Sequence, residues 1–313
     1  MKVVITGGLG FIGKHLTEKL KKENYEVIYS DTRVVDYEDY IRADVTDYLD
    51  LQKIKKISKK IDIVIHMAGE VGRMVGEEYP QKMIYVNAVG TLNIINFCLE
   101  NDCKLVYFST SEVYGKVFEE KSVSEKDLLK IPIFELTNIY AASKYFCEFL
   151  IWHYVKNYNL KAVIIRPFMV YGPGVFPSKY KSAIDQFIYN ALNNKKLIVH
   201  RNTERAWCYI SDFVEGVMLV INKHNFENFD AYNIGSEEYV RMEDVAKMVL
   251  KYTDAPLDLL EIVEPPKQFL VTKKSFSIEK IKKLGFEPKV SLEEGIKLTI
   301  QWHKKILNDR NNW

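Results

Sequence analysis

"TGGLGFIG", Thr6–Gly13, follows the apolar run Val3–Ile5 and opens Gly13–Lys22, a segment with apolar residues at helical spacing. A strand that turns through glycines directly into a helix is the start of a βαβ unit. The stretch fits G-x-G-x-x-G through Gly8, Gly10 and Gly13, and G-x-x-G-x-x-G through Gly7, Gly10 and Gly13. Glycines there permit a tight turn and let backbone N–H groups at the helix N-terminus approach a pyrophosphate. Taken alone, the pattern also fits a plain strand-to-helix turn, so the surrounding sequence decides.

The surrounding sequence repeats the unit. Glu26–Ser30, Ile63–His66, Leu105–Phe108 and Ala162–Arg166 read as buried strands, with Leu49–Ser58, Met83–Glu100 and Tyr140–Tyr158 as helices between them. That alternation predicts right-handed crossovers and a parallel sheet covered on both faces, a doubly wound α/β domain. After Arg166 the pattern breaks at Pro167, Gly172, Pro173, Gly174 and Pro177. A helix (Ser182–Asn193), a strand (Leu197–His200) and another strand in "LDLLEIVEPP" follow. "SFSIEKIKKLGFEP" and "SLEEGIKLTIQWHKKIL" read as helical, the second opening with Ser291 and Glu294 at capping-box spacing. The expected division is a dinucleotide-binding domain of residues 1–167 plus about 208–228, and a smaller C-terminal substrate-binding lobe of about 168–207 and 229–313.

Composition narrows the partners. The 313 residues are 47% hydrophobic and 27% charged, with 44 basic against 42 acidic side chains for a net charge of +2. This balance gives no reason to expect nucleic acid or a membrane surface. The basic clusters Lys55–Lys60 and Lys280–Lys283 read as solvated helix faces. Cys98, Cys103, Cys147 and Cys208 form no C-x-x-C pair and have no histidine at ligand spacing, so thiols in a reducing compartment and no metal are expected. The apolar run before Thr6 is too short for a signal sequence, and no segment approaches the roughly 20 apolar residues of a membrane span. A cytoplasmic protein is the expectation.

Asp31 gives the glycine turn its cofactor reading. It ends the second strand, where a carboxylate can accept hydrogen bonds from ribose hydroxyls. A 2′-phosphate would meet it with like charge, which favours NAD over NADP, although Arg33 pulls the other way. Phe11 and Ile12 belong to the same pyrophosphate turn. Asp44 and Val45 are candidates to flank the adenine, and Ala68 and Gly69 to let the dinucleotide pass closely.

A second constellation carries chemistry. Of the 20 tyrosines, Tyr140 alone has a lysine four residues later, Lys144. On a helix the two share a face, and an ammonium beside a phenol favours the phenolate. An isolated pair of this kind is usually a surface feature; here the glycine turn and Asp31 stand upstream. "FSTSEVYG", Phe108–Gly115, ends a strand with the hydroxyls of Thr110 and Ser111 and the acid Glu112. The plain structural reading of Glu112 is a strand-end acid paired with a lysine.

Together "TGGLGFIG", Asp31, "STSEVYG" and "YAASK" resemble the extended short-chain dehydrogenase/reductases that modify nucleotide-sugars. The resemblance runs on through "NAVGTLNII" from Asn87, "RPFMVYGPG" from Arg166, "RAWCYISDFV" from Arg205, "YNIGS" from Tyr232 and "LGFEPKVSLEEGI" from Leu284, essentially the whole chain. It implies a Rossmann domain that keeps NAD in place while a nucleotide-diphosphate sugar is oxidised transiently at C4. Tyr140 is then the base, Lys144 orients the ribose and tunes the tyrosine, and Thr110 and Ser111 hydrogen-bond the sugar and relay the proton. Arg205 would clamp the diphosphate, and His200 would lie near the nucleotide. Many relatives carry asparagine at Met169, and a thioether cannot replace its hydrogen bonds.

Glu112 separates the reactions within that family. A 4,6-dehydratase needs a base for the C5 proton, and Glu112 suits that role. In a UDP-glucuronate decarboxylase Glu112 would steer the sugar, with Arg73 as a candidate partner for the substrate carboxylate. A 4-epimerase needs no acid there. Dehydration is the preferred reading, with decarboxylation and epimerisation as alternatives. From another class, a non-catalytic NAD-binding regulator or scaffold has no need of intact Thr110, Tyr140 and Lys144. The resemblance also implies a homodimer through a four-helix bundle of Met83–Glu100 and Tyr140–Tyr158, to which Phe146, Phe149 and Trp152 could contribute.

Overall fold

The structure, a computed structural model, describes residues 1–58, 60–117, 122–175, 182–265 and 273–311. Strands β1 (Lys2–Thr6), β2 (Glu26–Asp31), β3 (Tyr40–Arg42), β4 (Ile63–His66), β5 (Lys104–Phe108) and β6 (Ala162–Pro167) are joined in one sheet by β11 (Asp230–Ile234). The order across the sheet is β11-β6-β5-β4-β1-β2-β3, and every pairing is parallel. Side chains on a strand alternate between faces, so each buried strand feeds two cores. Val3, Ile5, Val106 and Ile165 enter one apolar cluster, while Val4, Leu105, Tyr107 and Ile164 enter the other. The doubly wound α/β reading is therefore the fold.

The chain reverses direction across the sheet at β1, which has β2 on one side and β4 on the other. Crossovers to either side diverge there and open a crevice at the carboxyl edge. Thr6, Asp31, His66 and Phe108 are the last residues of their strands on that edge.

Beyond β6 the sheet gives way to short ladders: β7 (Val170–Tyr171) with β10 (Cys208–Tyr209), β8 (Leu197–His200) with β13 (Leu260–Val263), and β9 (Glu204–Ala206) antiparallel to β12 (Tyr239–Arg241). Helices Ala183–Leu192, Met242–Thr253 and Leu292–Asn311 pack around them. Asp230–Ile234, grouped by sequence with the second lobe, instead pairs with β6 as the terminal strand of the main sheet. Its alternating "DAYNI" carries little strand signal alone; hydrogen bonding to the open edge of β6 makes it a strand. The predicted helix in "SFSIEKIKKLGFEP" is cut to Glu279–Lys282, and Gly285 follows with a left-handed φ of 95°. Residues 176–181 of the segment expected to reach the nucleotide, "FPSKYKSAIDQFI", and residue 266 of "LDLLEIVEPP" lie outside the described residues.

One helix departs from expectation in another way. Pro80–Glu100, 21 residues with a mean hydropathy of 1.2, is long and apolar enough by composition alone to cross a membrane. In the fold its Ile94, Ile95, Phe97 and Cys98 enter the second core, and its middle, Tyr85–Val89, is a π-helical turn. Such bulges often occur at functional sites.

A stacked pair ties the C-terminal chain to the sheet. Phe168, just beyond β6 and fully buried, lies with its ring centroid 3.6 Å from that of Phe276. Phe168→Ala should cost about 3–5 kcal/mol in urea unfolding. An unchanged midpoint would mean that the stack does not hold the two segments together.

Candidate active site

The glycine turn closes against the next strand. Gly7 has a φ of 73°, and a Cβ there would lie 2.8 Å from the Ala68 nitrogen; at Gly13 a Cβ would lie 2.4 Å from the Gly7 carbonyl oxygen. Helix Phe11–Lys22 then starts from Gly10 with no side-chain cap and no acid in its first turn. Its first N–H groups and the positive end of its dipole are thus available to an anion. Phe11 and Ile12 are half-buried at this terminus. The bottom of the crevice is held by Thr6, whose hydroxyl is hydrogen-bonded to His66 Nδ1 at 2.8 Å and accepts from the Ala68 N–H. Burial, then the Lys144 charge, pushes the His66 imidazole down to about 3, so it is neutral.

Asp31 stands where a ribose would be read, and Arg33 already covers it. The carboxylate accepts from the Thr32 N–H at 2.9 Å and from Arg33 Nε and Nη2 at 3.2 and 3.3 Å. Asp44 is exposed and accepts from Thr46 in a local turn, whereas Val45 is buried against Gly90. Gly69 lies beside the π-helical Asn87, whose Oδ1 accepts from the Glu70 N–H and whose Nδ2 donates to Ser143 Oγ. These residues fit a dinucleotide: backbone donors for its phosphates, an acid for its ribose, and small residues where its backbone must pass.

Tyr140 and Lys144 lie buried on helix Ile139–Tyr158, which Asn138 caps by accepting from the Ala141 N–H. Lys144 Nζ donates to the Phe108 carbonyl at 2.8 Å and sits 4.8 Å from the Tyr107 ring centroid. Burial lowers its ammonium to about 8, against raising contributions from Cys147 and Glu148. The Tyr140 phenol is pushed up, first by burial and then by the Glu112 charge, against a lowering hydrogen bond with Thr110. The expected lowering of Tyr140 by Lys144 is not seen. Desolvation dominates a fully enclosed phenol, and the ammonium is committed to a carbonyl.

Glu112 is not on a strand end. Past Phe108 the chain forms a 3-10 turn, Ser111–Tyr114, capped by Thr110, whose hydroxyl accepts from the Glu112 N–H at 3.2 Å. Thr110 and Ser111 are both buried. The Glu112 carboxylate pairs with Lys274 and accepts from Asn138 Nδ2 at 3.2 Å. Burial would raise this acid, but the Lys274 charge and hydrogen bond, Asn138 and the Arg205 charge outweigh it and hold the carboxyl below its usual range. Residue 273 bridges to Glu204 in β9, which brings Arg205 and Lys274 alongside each other. Arg205 itself donates to the Glu204 carbonyl at 2.7 Å.

The structure thus gathers Thr110, Ser111, Glu112, Tyr140 and Lys144 at the carboxyl end of β5, with Arg205 within electrostatic reach of Glu112. Arg73 is half-buried and opens helix Arg73–Glu78, which packs on the Tyr140 helix. His200 is exposed at the end of β8, its carbonyl accepting from Thr203. Met169 adopts a left-handed φ of 45°, a conformation that favours glycine and asparagine. Its position therefore poses a backbone constraint beside the lost side-chain hydrogen bonds. Sequence reasoning assigned no role to Lys274, Asn138, Asn87 or His66. Asn138 carried a signal, a capping residue just ahead of Tyr140. Lys274 carried none. No group of three or more histidine, cysteine, aspartate or glutamate side chains that could hold a metal occurs among the described residues.

Known proteins are similar to this chain in sequence and in fold. The sequence model of the NAD dependent epimerase/dehydratase family matches residues 3–235. The chain is 30% identical to UDP-N-acetyl-alpha-D-glucosaminuronate decarboxylase of Bacillus cytotoxicus, over 98% of this chain and 99% of that one. It is also 30% identical to dTDP-D-glucose 4,6-dehydratase of Mus musculus, over 99% of this chain and 91% of that one. Among solved structures it is similar to UDP-glucose 4-epimerase of Thermus thermophilus in complex with NAD, with a TM-score of 0.85, 26% identity and coverage of 97% and 99%.

The Glu112–Lys274 pair has a pH signature. An acid held below its usual range contributes stability that is present above that range and is lost as pH falls through the folded value. Lys274→Met leaves a largely buried carboxylate without its cation and should cost about 1–3 kcal/mol near neutral pH. Urea unfolding should show that gap closing at acid pH, where Glu112 is protonated in both proteins. A gap independent of pH would dissociate Lys274 from the charge of Glu112.

Proposed function

Because this chain belongs to the NAD dependent epimerase/dehydratase family, we propose that it modifies a nucleotide-diphosphate sugar through a transient 4-keto sugar, with 4,6-dehydration as the reaction. The observation that carries this reading is Glu112, an ionised carboxylate beside Tyr140, where an epimerase has no need of one. NAD, preferred over NADP because of Asp31, supplies when bound the hydride acceptor at C4 and the donor for its return. Gly7, Gly10, Gly13, Asp31, Gly69 and Lys144 would hold it. As its phenolate, the form that the positive charge of bound NAD would favour, Tyr140, hydrogen-bonded to Thr110, would take the C4 hydroxyl proton. Glu112 then takes the C5 proton, made acidic by the adjacent ketone; the C6 hydroxyl departs as water with the proton released from the C4 hydroxyl, and as hydride returns to C6, Glu112 gives a proton back to C5. Arg205 would offer its guanidinium to the diphosphate.

A second reading rests on Lys274. A sugar with a C6 carboxylate needs a cation near C5, and Lys274 on Glu112 is better placed for that than Arg73. Loss of carbon dioxide from the 4-keto sugar would follow.

The two readings part in one assay. The protein is incubated with NAD and a panel of UDP-, GDP- and dTDP-sugars, and products are followed by mass. Loss of water supports dehydration and loss of carbon dioxide supports decarboxylation. Unchanged mass with altered NMR couplings means epimerisation, and no product across the panel would favour a non-catalytic NAD-binding scaffold. Glu112→Gln should lower dehydration about 10²–10⁴-fold and abolish solvent deuterium uptake at C5. Full turnover by that variant would exclude Glu112 as the base.

We also propose a homodimer. Phe146, Phe149 and Trp152 are 46%, 50% and 40% exposed along one helix, and Ile84 and Tyr85 are exposed on the neighbouring one. Burying this apolar face against its copy would remove it from water. Light scattering should give a dimer mass, reduced to a monomer by Phe149→Glu with Trp152→Glu; a monomeric wild type would refute it.

A further inference from the structure

A buried ion pair to which the proposed reaction gives no role joins the helix that carries Tyr140 and Lys144 to β6. Glu148, on the Tyr140 helix, is one turn beyond Lys144 on the same face. Arg166, near the carboxyl end of β6, meets it with two donors, Nε to Oε1 at 3.0 Å and Nη2 to Oε2 at 2.7 Å. The two side chains are only 5% and 4% exposed. Arg166 Nη1 also donates to the Tyr114 hydroxyl at 2.7 Å, and Tyr114 donates to Asn233 Oδ1 of β11 at 2.7 Å. Asn233 in turn donates its N–H to the Glu125 carboxylate at 2.9 Å.

The network joins the segments that carry the site. Tyr114 closes the turn that contains Ser111 and Glu112, Glu148 shares a helix with Tyr140 and Lys144, and Arg166 stands three residues before Met169. Stability is a poor reason for it, since apolar side chains of similar volume commonly replace buried ion pairs without loss. We propose that Glu148 and Arg166 are a positioning pair that sets the place and the charge of Lys144. The inference rests on the roles given above to Tyr140 and Lys144.

Among the described residues, Glu148 is the one carboxylate that acts on Lys144. From β5 it meets the Phe108 carbonyl and the Tyr107 ring, and from β4 the neutral His66. From its own helix it is influenced by Cys147 and Glu148, and Tyr140 lies one turn before it. Against burial, which drives the ammonium toward its neutral form, Glu148 acts to keep the proton. Arg166 fixes the orientation of the Glu148 carboxylate by donating to both of its oxygens.

The test follows Lys144 in the NAD-bound protein without sugar, by NMR of lysine labelled with carbon-13 at Cε, assigned with Lys144→Met. The wild-type midpoint should lie below the ordinary lysine value. Glu148→Gln should lower that midpoint. If the midpoint drops by about one pH unit, turnover should fall about tenfold more at alkaline than at neutral pH. Arg166→Lys keeps both charges and loses the fork, so its midpoint should stay while turnover falls equally at all pH values. If Glu148→Gln does not fold, Glu148→Leu with Arg166→Met replaces the pair by apolar groups and should also lower the midpoint. An unmoved Lys144 in the Glu148 variants, or an equal change of midpoint in Arg166→Lys, would overturn the proposal. Absence of turnover on every nucleotide-sugar would instead undo the functional reading, because the lysine titration needs no sugar.

Discussion

The constraint on which the site depends is the reversal of the chain at β1. A strand–helix–strand connection is right-handed almost without exception, so strands added on opposite sides of β1 carry their helices to opposite faces. The carboxyl ends of β1 and β4 are left without a helix between them. Backbone N–H groups at the start of helix Phe11–Lys22 then have no side-chain cap. Gly7 and Gly13 let this turn close against Ala68 and against itself. The Tyr140 helix, two strands away, reaches the same edge and anchors through Lys144 to the last carbonyl of β5.

Within the crevice, burial and pairing act in opposite directions. Desolvation penalises charge, and where it outweighs the opposing partners the groups move toward neutrality: His66 downward, Lys144 downward, Tyr140 upward. Glu112 is the contrast, because Lys274, Asn138 and Arg205 together outweigh its burial. The site therefore sets a neutral imidazole and a neutral phenol beside the Lys144 ammonium and the ionised Glu112 carboxylate. That difference makes proton removal from carbon chemically reasonable beside proton removal from oxygen. It also couples the site to residue 274, which lies far along the chain in the segment that bridges β9.

Much of this was legible in sequence because its signals are local. "TGGLGFIG", the acid at Asp31 and Tyr140 with Lys144 each report a geometry set within a few residues: a turn, a strand end, one face of a helix. The core strands were legible because both their faces are buried and their apolar runs are continuous. Other features depended on distant partners. Asp230–Ile234 becomes a strand only beside β6, and "SFSIEKIKKLGFEP" loses most of its helix where Gly285 turns the chain. Arg33 closing on Asp31, and Lys144 turning to Phe108 instead of lowering Tyr140, are choices among partners that spacing does not rank.

By itself, then, the sequence determined a doubly wound α/β chain, its family, the cofactor turn and the Tyr140–Lys144 pair, since hydrophobic period and short motifs are properties of neighbouring residues. Only the tertiary structure decided which charges meet. Lys274 reaches Glu112 and Arg166 reaches Glu148 across folded segments, and the protonation state of a buried group depends on what surrounds it in space.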